Sequence, residues 1–236
     1  MISVREKTVG IYVASSISDK ISGKKYHYMK EERLLQVGAA LTNERISSDV
    51  LVDCTGDNIS EKNRQYCELT GLYWIWKNAP EDYVGLVQYR RHFVLPPDWL
   101  QRMVSNEVDA ILPVPLYVAP SVAENYRERH CAEDWDYMME YLRENNMEDY
   151  MAAQKVFGQN LYSPCNMLIA KKETLLELCR WLFPIVDAVA EHGGKKSDSY
   201  QNRYPGFLSE RLITCFFEKC RTEYKVVYAN KNFLDM

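Results

Sequence analysis

The chain has 236 residues, 47% hydrophobic and 26% charged, which supplies enough apolar mass for one core and is expected to form a single domain over 1–236. A formal net charge of -4 argues against duplex nucleic acid as a partner, because such proteins present a basic face, yet it leaves room for one cationic cleft. Seven cysteines without a CxxC pair or zinc-finger spacing read as free thiols in a reducing compartment.

Thr8 to Ala14 reads as a first central strand. Glu31 to Arg45 is expected to be helical, with Leu34, Val37, Ala40 and Leu41 on one side. Asp49 to Asp53 is a short strand closed by the turn cluster Thr55-Gly56-Asp57-Asn58. Ser60 is placed to cap the next helix, along which Tyr66, Leu69, Tyr73 and Trp76 form a buried face before Asn78-Ala79-Pro80 ends it. Tyr83 to Tyr89 is a strand, and a short helix starts near Pro96-Pro97-Asp98-Trp99. Val108 to Pro113 is a further strand, and Glu133 to Val156 reads as one helix solvated on one side. Asn166 to Ala170 is a strand, followed by a helix over Glu173 to Glu191 with a bend expected at Pro184. Gly193 to Tyr204 is the expected mobile loop, Ser209 to Lys219 a helix and Tyr224 to Tyr228 a closing strand. Such alternation predicts an α/β domain with a largely parallel sheet flanked by helices.

The segment Met1 to Lys7 lacks the apolar core of a signal peptide, and Leu182 to Ala190, interrupted by Asp187, is too short to span a bilayer, so a cytoplasmic location is expected. Gln88-Tyr89-Arg90-Arg91-His92 falls at the carboxyl end of a strand, where open α/β sheets bind ligands. Two guanidiniums there suit the paired oxygens of a diphosphate, or else a structural ion pair with a carboxylate. His92 stands out among four dispersed histidines because it follows the arginine pair. Asp134-Trp135-Asp136 has the Asp-x-Asp form of a metal-binding motif, but at the start of a helical run it reads as dipole compensation. Asp53 and Asp57 follow a strand with spacing too wide for a firm metal signal, and Gly193-Gly194-Lys195-Lys196-Ser197 fails the phosphate-loop pattern.

Longer blocks carry a family resemblance. Asp57 to Asn63, Tyr66 to Asn78 and Gly85-Leu86 with Tyr89-Arg90-Arg91 together resemble a signature of bacterial capsular and exopolysaccharide biosynthesis proteins. That family is catalogued largely as a domain of unknown function and treated as glycosyltransferases. Trp181 to Ile185 and Gly206 to Leu212 extend the likeness over nearly the whole chain. The resemblance implies a Rossmann-like nucleotide-diphospho-sugar transferase fold. It further implies a hexosyl transfer from a nucleotide-diphosphate donor to a glycan or lipid-linked oligosaccharide acceptor, at or near the inner face of the membrane. Under it, Arg90 and Arg91, with Gln88 and Tyr89, hold the donor diphosphate; Asn58, Lys62, Asn63 and Glu68 orient the nucleotide. Glu210 and His92 are the catalytic candidates and Asn166 an acceptor or sugar contact. Many such enzymes use Mn or Mg on Asp-x-Asp; the resemblance leaves room for a divalent metal, but here the arginines stand in its place. Relatives carry histidine where this chain has Gln88, which can hydrogen-bond but cannot act as acid, base or cation. The competing reading is therefore a catalytically degenerate glycan- or nucleotide-sugar-binding subunit.

Overall fold

A computed structural model describes residues 7–19 and 29–234; the N-terminal reading of residues 1–6 and the histidine His27 lie outside them. Val9–Ser15 (β1) is buried at every position after Val9, as befits a central strand covered on both faces. Glu32–Gln36 (β2) runs parallel to it, with Leu34 beside Val13 and Leu35 beside Ala14. This strand replaces the helix expected over Glu31 to Arg45. Only Leu35 and Gln36 of this strand are buried, and the short apolar cluster Leu34, Leu35 and Val37 fits helical spacing as well as a strand. Gly38, at φ 66°, turns the chain out of the sheet; a Cβ there would lie 2.7 Å from Oδ1 of Asn63.

Leu51–Val52 (β3) leads into Asp53, which is wholly buried. Its carboxylate accepts hydrogen bonds from the backbone N–H of Gly38 (2.9 Å) and Ala39 (3.0 Å), from Thr70 Oγ1 (2.7 Å) and from Ser60 Oγ. Ser60 is therefore a buried link and not the helix cap expected of it. The single helix anticipated beyond it is two, Asn63–Tyr66 (α1) and Leu69–Asn78 (α2), broken where Cys67 takes φ 53°.

Tyr83–Gln88 (β4) is buried throughout. Gly85 admits the next strand over: a Cβ would lie 2.8 Å from Ile169 Cγ1 and 3.0 Å from the Leu168 carbonyl. Tyr89 and Arg90 form a tight turn into Arg91–Phe93 (β5). Then come Trp99–Ser105 (α3), Ala110–Pro113 (β6), Leu116–Tyr117 (β7) and Val122–Arg129 (α4). The expected helix from Glu133 to Val156 divides into Ala132–Asn145 (α5) and Met147–Phe157 (α6), because the Asn146 side chain accepts the N–H groups of Glu148 (3.0 Å) and Asp149 (3.2 Å) and caps a new start. Leu161–Tyr162 (β8) pairs with β7; Leu168–Lys171 (β9) precedes Lys172–Gly193 (α7), which carries Pro184 inside it. Gly193 to Tyr204 is tied down where mobility was expected: Gln65 Nε2 donates to the Gly194 carbonyl (2.8 Å) and Lys196 pairs with Asp134 (2.8 Å). Tyr204–Lys219 (α8), Val226–Ala229 (β10) and Lys231–Phe233 (β11) complete the chain.

The main sheet has the order β10-β6-β9-β4-β1-β2-β3, and only β9 runs against its neighbours along that path. The fold is thus mixed α/β with a mostly parallel sheet flanked by helices. α7 and α8 close one face through Leu178, Leu182, Leu208 and Leu212. Trp99, Met103, Phe93 and Ile169 gather in a second cluster with Ile11 and Val13. Among the described residues no helix is long and apolar enough to cross a membrane.

Candidate functional site

The chain runs from β1 to β2 and β3 on one side, then returns to β4 on the other. Connections diverge at the carboxyl ends of β1 and β4, the place where open α/β sheets leave a crevice. A cavity of about 720 Å³ opens there, within the usual size range of small-molecule sites. Its floor is Ala14, Gly38 and Gln88; its walls are Asn63, Arg64, Glu68, the Tyr89–Arg91 turn, Arg203, Phe207 and Glu210.

The β4–β5 turn is stapled on both sides. The Tyr89 N–H donates to the Ala14 carbonyl (3.0 Å), and the Leu234 N–H donates to the Arg90 carbonyl (2.8 Å). Among the described residues neither Arg90 nor Arg91 has a carboxylate partner. Their guanidiniums lie instead 5.3 and 5.0 Å from the Phe233 ring, with Tyr89 at 5.3 Å from Arg90. Nε of Arg90 is buried without a hydrogen-bond partner among the described residues. Such a donor is costly to leave unmet and is the kind of group a ligand oxygen satisfies.

Below the turn lies a polar lattice. Oε1 of Glu68 accepts from Gln88 Nε2 (3.1 Å) and from Asn166 Nδ2 (2.9 Å). Gln88 also donates to the Cys165 carbonyl (2.7 Å), while its Oε1 accepts from the Arg91 guanidinium. Asn166 reaches α8, donating to the Gly206 carbonyl (3.0 Å) and accepting from Ser209 Oγ (2.7 Å). Cys67, Cys165 and Asn166 all hold positive φ, 53°, 78° and 52°, so three left-handed non-glycine residues surround this one cavity. Strain of that kind gathers where geometry must be held. Burial raises both thiols, Cys67 to about 12 and Cys165 to about 11, so they stay protonated near neutrality.

Glu210 faces the same cavity from α8. Its Oε1 accepts the Cys165 N–H (2.8 Å) and its Oε2 pairs with Arg211 (3.0 Å). Burial pushes its carboxyl above the ordinary range; Arg211 pulls the other way and the Glu68 carboxylate adds to the rise.

Of the residues singled out in the sequence, Gln88, Tyr89, Arg90, Arg91, Asn63, Glu68 and Glu210 meet in this cavity, and Asn166 sits behind it against Glu68. Three do not. Asn58 folds into its own turn, donating to the Gly56 carbonyl (2.9 Å) and accepting the Ser60 N–H (3.2 Å). Lys62 pairs with Asp187 (2.9 Å) at an exposed position. His92 follows Arg91 on a strand, where successive side chains alternate sides, so it turns from the cavity to a buried contact with Glu32 (3.1 Å). Arg64, Arg203, Tyr200 and Phe207 line the cavity without having been marked in the sequence. Helical spacing of Arg203, Phe207 and Glu210 was the available signal.

The Asp-x-Asp residues are spent elsewhere. Asp134, buried in the first turn of α5, pairs with Lys196, and Asp136 pairs with Arg127. Among the described residues no three His, Cys, Asp or Glu side chains assemble into a metal-ligand group. A larger depression, about 910 Å³, lies between α6 and the end of α8; there Lys219 pairs with Asp149, while Lys155 and Arg221 are exposed.

A family model described as "Domain of unknown function (DUF4422)" matches residues 20–222. None of the curated proteins matches the sequence. Among solved structures, the apo form of the bifunctional glycosyltransferase WbbM superposes with a TM-score of 0.81 at 24% identity, over 97% of this chain and 46% of that one. The chain thus spans about half the length of that neighbour and shares its fold.

Proposed function

We infer that this chain, which belongs to the DUF4422 family, is a glycosyltransferase that moves a hexosyl group from a nucleotide-diphosphate donor to a hydroxyl of a glycan or lipid-linked acceptor. The observation that carries this reading is the pair Arg90 and Arg91, on the cavity wall at the sheet's switch point and without carboxylate partners among the described residues. The shared fold with a glycosyltransferase supports it.

In the proposed reaction an acceptor hydroxyl oxygen bonds to the anomeric carbon. The bond from that carbon to the terminal phosphate oxygen breaks, and its electron pair stays on the departing diphosphate. Arg90 and Arg91 neutralise that growing charge; fixed donors of this kind contribute on the order of 3 kcal/mol each to the barrier. Gln88 aims Arg91 by accepting from it, and Glu68 fixes Gln88. The substitution of glutamine for the family's histidine thus leaves a hydrogen-bonding clip in place. Glu210 takes the acceptor's proton; burial raises its pKa and makes it a stronger base than a free carboxylate. Asn63 and Arg64, which line the same cavity, are the proposed nucleotide contacts.

The test is thermal stabilisation by UDP and by GDP, each with EDTA and with manganese, followed by donor turnover. Stabilisation by one nucleotide that persists in EDTA and is lost in Arg90→Ala is the expected outcome. Failure of both nucleotides to stabilise the protein in either condition overturns the reading.

A further inference from the structure

Part of the cavity lining away from the strand ends is aromatic. Arg203, at the start of α8, Phe207 and Glu210 are spaced by four and three residues and so share one stripe of the helix, and all three line the cavity. Tyr200 joins them, its ring 5.0 Å from that of Phe207 and the residue 54% exposed. Behind them His130 stacks on Phe207 at 4.2 Å with 23° between planes, and its Nδ1 donates to Gln201 Oε1 at 3.3 Å. Arg203 is braced from the other side, its Nε donating to Cys67 Sγ (3.0 Å) and its guanidinium 5.8 Å from the Phe207 ring.

An exposed ring backed by a rigid stack is a ready platform for a flat ligand face. Two ligand parts have such a face, a nucleobase and a pyranose ring. The position of Glu210 decides between them. It is one turn from Phe207 on the same stripe, so whatever stacks on Phe207 and Tyr200 presents its edge to the Glu210 carboxylate. A sugar offers a hydroxyl there, which is the group a base must reach. The strand-end wall of Ala14, Val37, Gly38 and Thr42 remains open to the nucleoside. We propose that Tyr200, Phe207 and Arg203 form the acceptor subsite, with the apolar face of a pyranose on the rings and Arg203 donating to its hydroxyls. This rests on the transferase reading above and names the place and chemical class of its acceptor.

The experiment measures two affinities for wild type, Tyr200→Ala and Phe207→Leu. Calorimetry gives the Kd of UDP and of GDP; saturation-transfer NMR with methyl hexopyranosides, at saturating nucleotide, gives sugar binding. Tyr200 is at the surface, so Tyr200→Ala keeps the test valid if Phe207→Leu folds poorly. Loss of an aromatic stack is expected to weaken sugar binding by about tenfold, with nucleotide Kd changed by less than roughly twofold. Weakened nucleotide binding with sugar binding intact assigns the rings to the base and overturns the proposal. So does no change in either affinity, or no saturation of any hexopyranoside on wild type carrying nucleotide. If neither nucleotide binds the wild type, it is the transferase reading that fails.

Discussion

The two concavities of this protein differ in what their charges are doing. In the larger one, between α6 and α8, the part-buried cation Lys219 is held by Asp149 and lies over the Trp181 ring at 4.6 Å, while Trp181 Nε1 donates to the same carboxylate (2.7 Å). That lattice is closed upon itself. In the smaller one, at the strand ends, Gln88, Glu68 and Asn166 satisfy one another but leave the guanidiniums of Arg90 and Arg91 without carboxylates among the described residues. Volume favours the first region and unspent part-buried charge the second, since Lys155 and Arg221 of the first, unpaired among the described residues, are exposed. A paired ion holds structure together, whereas a positioned, unpaired one keeps its field for a ligand.

This contrast breaks most sharply on Glu210. Glu210→Gln keeps the hydrogen bond from Cys165 but cannot take a proton, and kcat is expected to fall by about a thousandfold while nucleotide affinity holds. The same variant should erase the acid limb of the rate profile. Under the proposed mechanism the wild-type base must be ionised, so activity is expected to fall as pH drops through a pKa that burial has raised above the ordinary carboxylate range. Arg91→Ala is expected to cost about a hundredfold in turnover with a modest fall in Tm, since the hydrogen bond to Gln88 Oε1 is lost but no ion pair is. Lys219→Met reverses that pattern. It leaves Asp149 buried without its cation, costing roughly 2–3 kcal/mol of stability by denaturant titration while turnover per folded molecule stays the same. A drop in turnover comparable to that of Arg91→Ala would erase the distinction between the two regions.

The smallest effect concerns the ring behind the aromatic wall. Burial, aided by Arg211, lowers His130 to about 4 from 6.5. Between those values the unfolded chain binds the proton and the folded one does not, so stability falls as pH drops from about 6.5 to about 4 and levels off below. His130→Phe should flatten that segment of the stability curve without removing the stack on Phe207.

Much of the candidate cavity was legible because the arginine pair ends an unmistakable apolar strand, Tyr83 to Gln88, and strand ends are where such sheets open a crevice. The residues that turned away did so for reasons a motif does not carry. His92 was lost to the two-residue alternation of β5, and Lys62 to a carboxylate 125 positions away in sequence. The mistaken helix at Glu31 to Arg45 came from β2, whose two apolar residues, Leu34 and Leu35, are too few for periodicity to tell a strand from a helix. Asn146 hid the break between α5 and α6, since one capping side chain interrupts a pattern that periodicity reads as continuous. Phe207 and Tyr200 were invisible as a pair, being brought together only by the turn that enters α8.

The strand β11 gives the end of the described chain a weight out of proportion to its length. Asn232 and Phe233 lie alongside His92 and Arg91, and Leu234 grips the tip of the arginine turn from outside. Clipping the chain after Asn230 would therefore spare the whole of the sheet's centre, and the Tyr89 bond to Ala14, yet remove the outer of the two ties on the arginine turn. The expected result is a well-folded protein whose proposed anion site is loosened, an outcome that a protease could produce without any change in the core.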